Sequence, residues 1–216
     1  MDTEQELLLR GGDPTSDRLI EYVSYPLLSA QERSLVLSWR NRVDIRAAMS
    51  DQHEIEAAEH ESFCRSLRSD PDSFYFLVRF NHLPCGGVNL KRLSSQETFW
   101  PEVIPRHNCW EWGIFLATPA HGLSQAALGG LSILCEAFGI YTLCGKFRRD
   151  NQRSRRFHLE KMGLAICGED ESYCYMLEQH PAQLLSRLGQ SDPQVLKSSY
   201  LFHLQPELKI GLTAAP

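Results

Sequence analysis

Residues 109–147 read CWEWGIFLATPAHGLSQAALGGLSILCEAFGIYTLCGKF, and the order of elements in this stretch decides the fold. The apolar run Cys109 to Ala117 predicts a buried strand, closed by the turn chemistry of Thr118-Pro119. Gly122 to Phe138 predicts a helix with Ala127, Leu131, Leu134 and Phe138 on one face, and Tyr141 to Phe147 predicts a second strand. Two strands joined by a crossing helix in one sheet run parallel. The loop with Pro119 and Gly122 leads straight into the helix, leaving unsatisfied amides at the positive end of its dipole, a place that binds phosphate. Gly129 and Gly130 each cost that helix about 0.5–1 kcal/mol relative to alanine, so a neighbour approaches closely, either a ligand or the sheet itself.

Before this unit, Leu19 to Leu28 predicts a first strand broken at Pro26, and Ser29 with Glu32 has the spacing of a capping box. Leu35, Val36 and Trp39 supply that helix's buried stripe; Ile55, Ala58, Ser62, Phe63 and Leu67 predict a second helix, stopped at Asp70-Pro71. Phe74 to Phe80 and Gly87 to Leu93 read as a hairpin around the turn residues Asn81 to Gly86, and Ser94 to Asn108 as a polar loop. After the unit come a helix, Asn151 to Met162, and a closing strand pair, Leu164 to Cys167 and Ser172 to Leu177. Two short helical patterns, Gln183 to Leu188 and Pro193 to Tyr200, precede a Pro/Gly-containing end. The order β-α-α-β-β-β-α-β-α-β-β predicts an α/β fold whose mixed, mostly antiparallel sheet has its fourth and fifth strands parallel. Residues 1–17 read as a loose segment, 18–178 as one domain and 179–216 as a helical or irregular extension that covers the sheet edge or contacts a second copy in a homodimer.

Acidic side chains outnumber basic ones by 27 to 22, which argues against wholesale binding to nucleic acid or anionic membrane. The seven cysteines are scattered without a CxxC pair, so they suggest reduced thiols in a cytoplasmic protein, not a disulfide frame or zinc ribbon. Met1 to Asp17 is acidic and polar, unlike a signal peptide, and the most apolar stretch, Ala126 to Cys144, contains Glu136 and glycines, so it is core and not a membrane span. One local inversion stands out. Lys146, Arg148, Arg149, Arg153, Arg155, Arg156 and Lys161 meet only Asp150 and Glu160, a cationic run that suits a polyanionic small molecule or a solvated helix face.

The strand, glycine loop, helix and strand, followed by Asn151-Gln152-Arg153-Ser154, Phe157-His158 and Met162-Gly163-Leu164, resemble the GCN5-related N-acetyltransferase family across about Leu19 to Leu177. The resemblance implies acetyl-coenzyme A in a wedge between splayed fourth and fifth strands. It implies contacts from His121, Gly122, Leu123, Ser124, Gln125 and Ala126 around the pyrophosphate, and from Asn151, Ser154 and Phe157 beyond it. Backbone near Ile114, Phe115 and Leu116 is implied to hold the oxyanion and pantetheine. Ser124 stands where the family's loop has its middle glycine. One residue more than the family's pattern separates Asn151 from Gly163; the family's proton-donating tyrosine therefore maps to His158 counted forward and to Leu159 counted back.

Leu35-Val36-Leu37-Ser38-Trp39-Arg40-Asn41, Ile45-Arg46, Met49, Glu59-His60, Phe63 and Phe76-Leu77-Val78 resemble the N-acetyltransferases of pseudaminic acid biosynthesis, as does Glu111-Trp112-Gly113-Ile114-Phe115. That resemblance implies acetylation of the 4-amino group of a UDP-linked amino sugar, with Trp39, Arg40, Asn41, Met49, His60 and Trp112 as substrate-binding residues. Arg40 can fork onto a diphosphate, Asn41 can donate and accept at a base or sugar edge, His60 adds a donor, and Met49 and Trp39 offer apolar surface. Taken singly, Trp39 reads equally as core, Arg40 as a carboxylate partner and His60 as surface. Glu111 is the candidate general base, its tryptophan neighbours raising its pKa, or else an ion-pair partner. His158 is the candidate acid, since imidazole titrates below a thiol. The chemistry demands no metal, and Cys109, Cys135 and Cys144 read as packing residues. A protein or small-molecule amine acceptor, and a non-catalytic acyl-coenzyme-A-binding module, stay open as alternatives.

Overall fold

The computed structural model describes residues 8–12, 19–94, 100–105, 107–118, 123–184 and 201–204. Nine strands among them are β1 (Leu8–Gly12), β2 (Leu19–Ser24), β3 (Ser73–Phe80), β4 (Leu83–Arg92), β5 (Cys109–Leu116), β6 (Thr142–Arg148), β7 (Ile166–Glu169), β8 (Tyr173–Glu178) and β9 (Leu201–Leu204). They form one sheet in the order β7-β8-β6-β5-β4-β3-β2-β1-β9. All pairings are antiparallel except β5 with β6, which are the fourth and fifth strands of the sequence reading. The helices are α1 (Ala30–Arg40), α2 (Val43–Arg46), α3 (Ala57–Ser66), α4 (Leu123–Ala137) and α5 (Gln152–Arg155), the last continuing as a π-helical turn, Arg156–Lys161.

Each boundary has a local cause. Ser29 caps α1 with the full reciprocal box: its hydroxyl accepts from Glu32 N–H, and the Glu32 carboxylate accepts from Ser29 N–H at 3.0 Å. The β3–β4 hairpin turns on Asn81 and His82 alone, both at positive φ, so residues 83–86 belong to the strand and not to the turn. Two strands lie where composition suggested none. β1 falls inside the stretch 1–17 read as loose, and β9 inside 179–216, where it pairs with β1 at the sheet edge. The predicted helical patterns between residues 185 and 200 lie outside the described residues.

On one face the sheet packs α4 against Tyr22, Phe76, Trp110 and Trp112. Gly130 is the closest approach: a Cβ there would strike the Tyr22 ring, whose hydroxyl donates to Ala127 O. The glycine therefore serves helix–sheet packing, the second of the two readings its position allowed. On the other face, α1 and α3 close over Tyr25 and Leu77 through Val36, Cys64 and Leu67.

The sheet forks at its parallel pair. β5 stays paired with β4 from Arg92↔Trp110 to Gly86↔Leu116, and β6 stays paired with β8 from Leu143↔Glu178 to Arg148↔Tyr173. Between β5 and β6, pairing runs only from Cys109↔Thr142 to Glu111↔Cys144. Beyond that point each strand follows its outer neighbour. The Trp112 indole wedges the parting, with Nε1 only 2.8 Å from where a Cβ on Gly145 would stand.

Candidate active site

The fork opens into a cavity of about 970 Å³ that reaches from α5 on one side to α1–α3 on the other. Its α5 end is built by the π-helical turn. Asn151 caps α5 by accepting Ser154 N–H at 2.9 Å, and Gly163 ends the turn at φ +65°. Between them, Met162 N–H reaches back five residues to Phe157 O at 3.1 Å. The surplus residue is thus absorbed as a π turn, which keeps both anchors in place. This geometry turns His158 into the cavity; Leu159 is not in its wall.

The His158 ring is 8% exposed and sits in an aromatic box. It stacks on Phe147 at 5.5 Å and meets Trp112 and Phe157 edge-on, each at 5.2 Å. Burial lowers its pKa to about 4, and its Nδ1 has no hydrogen-bond partner. The ring is therefore neutral at neutral pH, contrary to the expectation of a protonated imidazole acid. It can offer a hydrogen bond, not a spare proton.

Glu111 stands at the last parallel pair. The two tryptophans beside it in sequence are not its surround. Trp110 and Trp112 project to the opposite face, as alternation in a strand requires, and Glu111's own face carries buried Cys144 together with cross-strand Lys91 and with Lys146, whose Nζ is 3.9 Å from Oε1. At the far end, the Arg40 guanidinium lies 6.0 Å from the centre of the Phe115 ring. His60 is buried, not surface: it meets Tyr25 edge-on, lies 3.7 Å from Cys64 Sγ, and burial lowers its pKa. Met49 is in the wall contributed by residues 47–55.

No family model matches the chain. The acetyltransferase PseH of Campylobacter jejuni serotype O:2 is 24% identical over 159 residues, 73% of this chain and 92% of that protein. The solved C. jejuni N-acetyltransferase PseH in complex with acetyl coenzyme A aligns with a TM-score of 0.53 at 20% identity, over 74% of this chain and 98% of that one. An aminoglycoside acetyltransferase AAC(6')-Ib in complex with coenzyme A aligns with a TM-score of 0.59 at 18% identity, over 74% and 96%. The fold is that of the GCN5-related N-acetyltransferases.

Within this acetyltransferase fold, the predicted residues separate into three groups. Glu111, His158, Ile114, Phe115, Leu116, Asn151, Ser154, Phe157, Arg40, Met49, His60 and Trp112 come together around the one cavity. Two depart from their expected roles. Trp39 packs on the Val36 cluster and is not in the cavity wall, because it shares a helix face with Val36. Asn41 spends its amide on Ile55, donating to its O and accepting from its N–H, both at 2.9 Å. Leu123 opens α4 with its side chain fully buried in the core, which leaves its backbone amide as the group the expected pyrophosphate contact concerns. Ser124, Gln125 and Ala126 lie in the first turn of α4, while His121 and Gly122 fall outside the described residues.

The cationic run is similarly divided. Lys146, Arg148 and Arg153 line the cavity, but Arg148 pairs with Asp150 at 3.0 Å and Arg149 with Glu169 at 3.6 Å. Sequence reasoning missed Asn89. Its register partner is Gly113, and a Cβ on Gly113 would lie 2.6 Å from Asn89 Oδ1. The amide thus lies over the glycine on the cavity floor; the one local signal was a glycine inside an apolar strand. The seven cysteines are in no disulfide, and burial pushes the thiols of Cys64 and Cys85 up to about 11 and about 12, which disfavours the thiolate a nucleophile needs. Among the described residues, no helix is long and apolar enough to cross a membrane.

Proposed function

We propose that the chain is an acetyl-coenzyme-A-dependent N-acetyltransferase whose acceptor is the 4-amino group of a UDP-linked amino sugar, attacked directly by the amine. The observation that carries this reading is the fork. Two parallel strands part beyond Glu111 and Cys144 and open one cavity to both faces of the sheet, so a thioester carrier and an amine can meet from opposite sides. The residues present fit such a carrier: strand edges without a strand between them, and a buried histidine nitrogen awaiting a partner. Similarity to the acetyltransferase PseH, solved with acetyl coenzyme A, supports the activity and the cofactor; the acceptor is inferred from the residues of α1–α3 and β5 that resemble the pseudaminic acid enzymes.

When bound, acetyl-coenzyme A supplies an acetyl group activated as a thioester. Backbone groups at Ile114, Phe115 and Leu116, at the end of β5, would hold the pantetheine and the carbonyl oxygen. Glu111 takes the proton from the attacking nitrogen, directly or through water. His158, neutral in its box, would offer a hydrogen bond to the bound carrier or the acceptor. Arg40 has no ion-pair partner among the described residues and is the group left to meet a diphosphate.

A polycationic amine acceptor is the second reading, favoured by Asp44, Asp51 and Glu59 in the same cavity wall. These carboxylates are already engaged. His53 bridges Asp51 and Glu59 at 2.7 and 3.1 Å, and Arg42 holds Asp44 at 2.6 Å. Incubation with acetyl-coenzyme A and a UDP-4-amino sugar, read by mass spectrometry, should show one added acetyl. Acetylation of polyamines or aminoglycosides with the nucleotide sugar untouched would replace this reading with the second.

A further inference from the structure

Lys146 belongs to the cationic run that suits a polyanionic small molecule, yet its ammonium turns to the face of the sheet that carries Glu111. It lies two residues beyond Cys144, the parallel partner of Glu111, where hydrogen bonding between β5 and β6 has stopped. Its Nζ is 3.9 Å from Glu111 Oε1 and sits over two aromatic faces, 5.0 Å from the centre of Trp100 and 5.6 Å from that of Tyr173. The side chain is only 11% exposed, and that of Glu111 22%. A lysine so enclosed loses hydration, and the carboxylate and the two ring faces are what offset the loss.

We propose that Lys146 is a positioning residue that fixes the Glu111 carboxylate at the parting of the strands and supplies the countercharge that keeps it ionised as the acceptor arrives. The inference rests on the reading of Glu111 as the proton acceptor. Other groups around the pair are Lys91 from β4, Tyr75 from β3 and Cys144 from β6 on the Glu111 side. On the lysine side, Tyr175 is its register partner, and Asp170 and Glu171 border the shallow depression beside it. Asp170 accepts from the amides of Ser172 and Tyr173, each at 2.7 Å, while Glu111 approaches the lysine directly across the fork. A cation there also disfavours an ammonium and favours the neutral amine that attacks.

The test follows Glu111 itself. Carbon NMR of the carboxylates in the substrate-free protein, with Glu111→Gln as the assignment control, should show the Glu111 titration midpoint rising by about one pH unit in Lys146→Met. Lys146→Arg should restore most of the wild-type midpoint. The acid limb of kcat/KM should move up with it in Lys146→Met. An unmoved Glu111 titration in the folded Lys146→Met protein overturns the proposal. A titration that moves while the limb stays supports the countercharge and overturns instead the reading of Glu111 as proton acceptor. Should Lys146→Met fail to fold, Tyr173→Leu removes one wall of the cage and should raise the midpoint by a smaller amount; no rise there is equally fatal.

Discussion

At the α5 end of the cavity, Phe147, Phe157 and Trp112 enclose a neutral histidine whose Nδ1 has no partner. At the α1–α3 end, the wall is laced with charge: His53 between Asp51 and Glu59, Arg46 on Glu54 at 3.3 Å, and Arg42 on Asp44. One end is dry and tuned by burial; the other is wet and held by clamps. A thioester carrier presents the same arm and the same phosphates whatever the acceptor, so one fixed set of backbone contacts and packing serves every reaction. An acceptor must be told from its competitors, which needs hydrogen bonds and charge on a separately adjustable loop. Glu111 stands between the two, and variants on either side test whether the ends act independently.

Glu111→Gln should have the largest effect, because it removes the group at the junction without disturbing either wall. A loss of kcat/KM on the order of 10²–10⁴ is expected. Coenzyme A affinity by calorimetry should be unchanged. Retention of activity within a few-fold would transfer the proton acceptor to water alone.

His158→Phe comes next and is read in stability. The folded state holds this ring near 4, below its ordinary value of about 6.5, so on acidification the unfolded chain takes up the proton first. The stability of the neutral buried ring is complete above about 6.5 and is lost as the pH falls toward 4, by roughly 3 kcal/mol at most. Denaturation midpoints measured across this window should fall with pH in the wild type and fall less in His158→Phe. Equal slopes would show that the aromatic box is open to water.

Arg40→Met belongs to the other end. Loss of charge-assisted bonds to a diphosphate, about 1.5–3 kcal/mol, should lower kcat/KM for a UDP-amino sugar tenfold or more. The rate with a small amine lacking the nucleotide should be unaffected. Equal losses on both acceptors would place Arg40 in the support of Phe115 and not in recognition.

Much of the architecture was legible because it is written in local chemistry. The capping box at Ser29 and Glu32, and the strand–helix–strand order from Cys109 to Phe147, need only neighbours in sequence. Strands β1 and β9 escaped because five and four residues carry too short an alternation to read against polar flanks. The surroundings of Glu111 escaped for a different reason. In a strand the residues before and after point away, so Trp110 and Trp112 say nothing of the carboxylate's own face, which is made by Lys91 and Lys146 from other strands. Asn89 over Gly113 is the same kind of cross-strand fact. The π turn left one trace, the surplus residue between Asn151 and Gly163, whose two counts disagreed until the backbone resolved them.

The smallest expected effect tests the clamps. Asn41 fixes Ile55 through a donor and an acceptor bond, closing the cavity-wall loop onto the end of α1 across fourteen positions in the chain. Asn41→Ala removes both bonds and should cost about 2 kcal/mol of stability, taking about 1 kcal/mol for each. Asn41→Asp keeps the acceptor for Ile55 N–H and should lose less. Because the loop lines the end of the cavity proposed for the acceptor, KM for the amino sugar should rise several-fold while coenzyme A affinity holds. If both constants move together, the loop is coupled through Phe115 and β5 to the fork itself, and the two ends of the cavity form one cooperative unit.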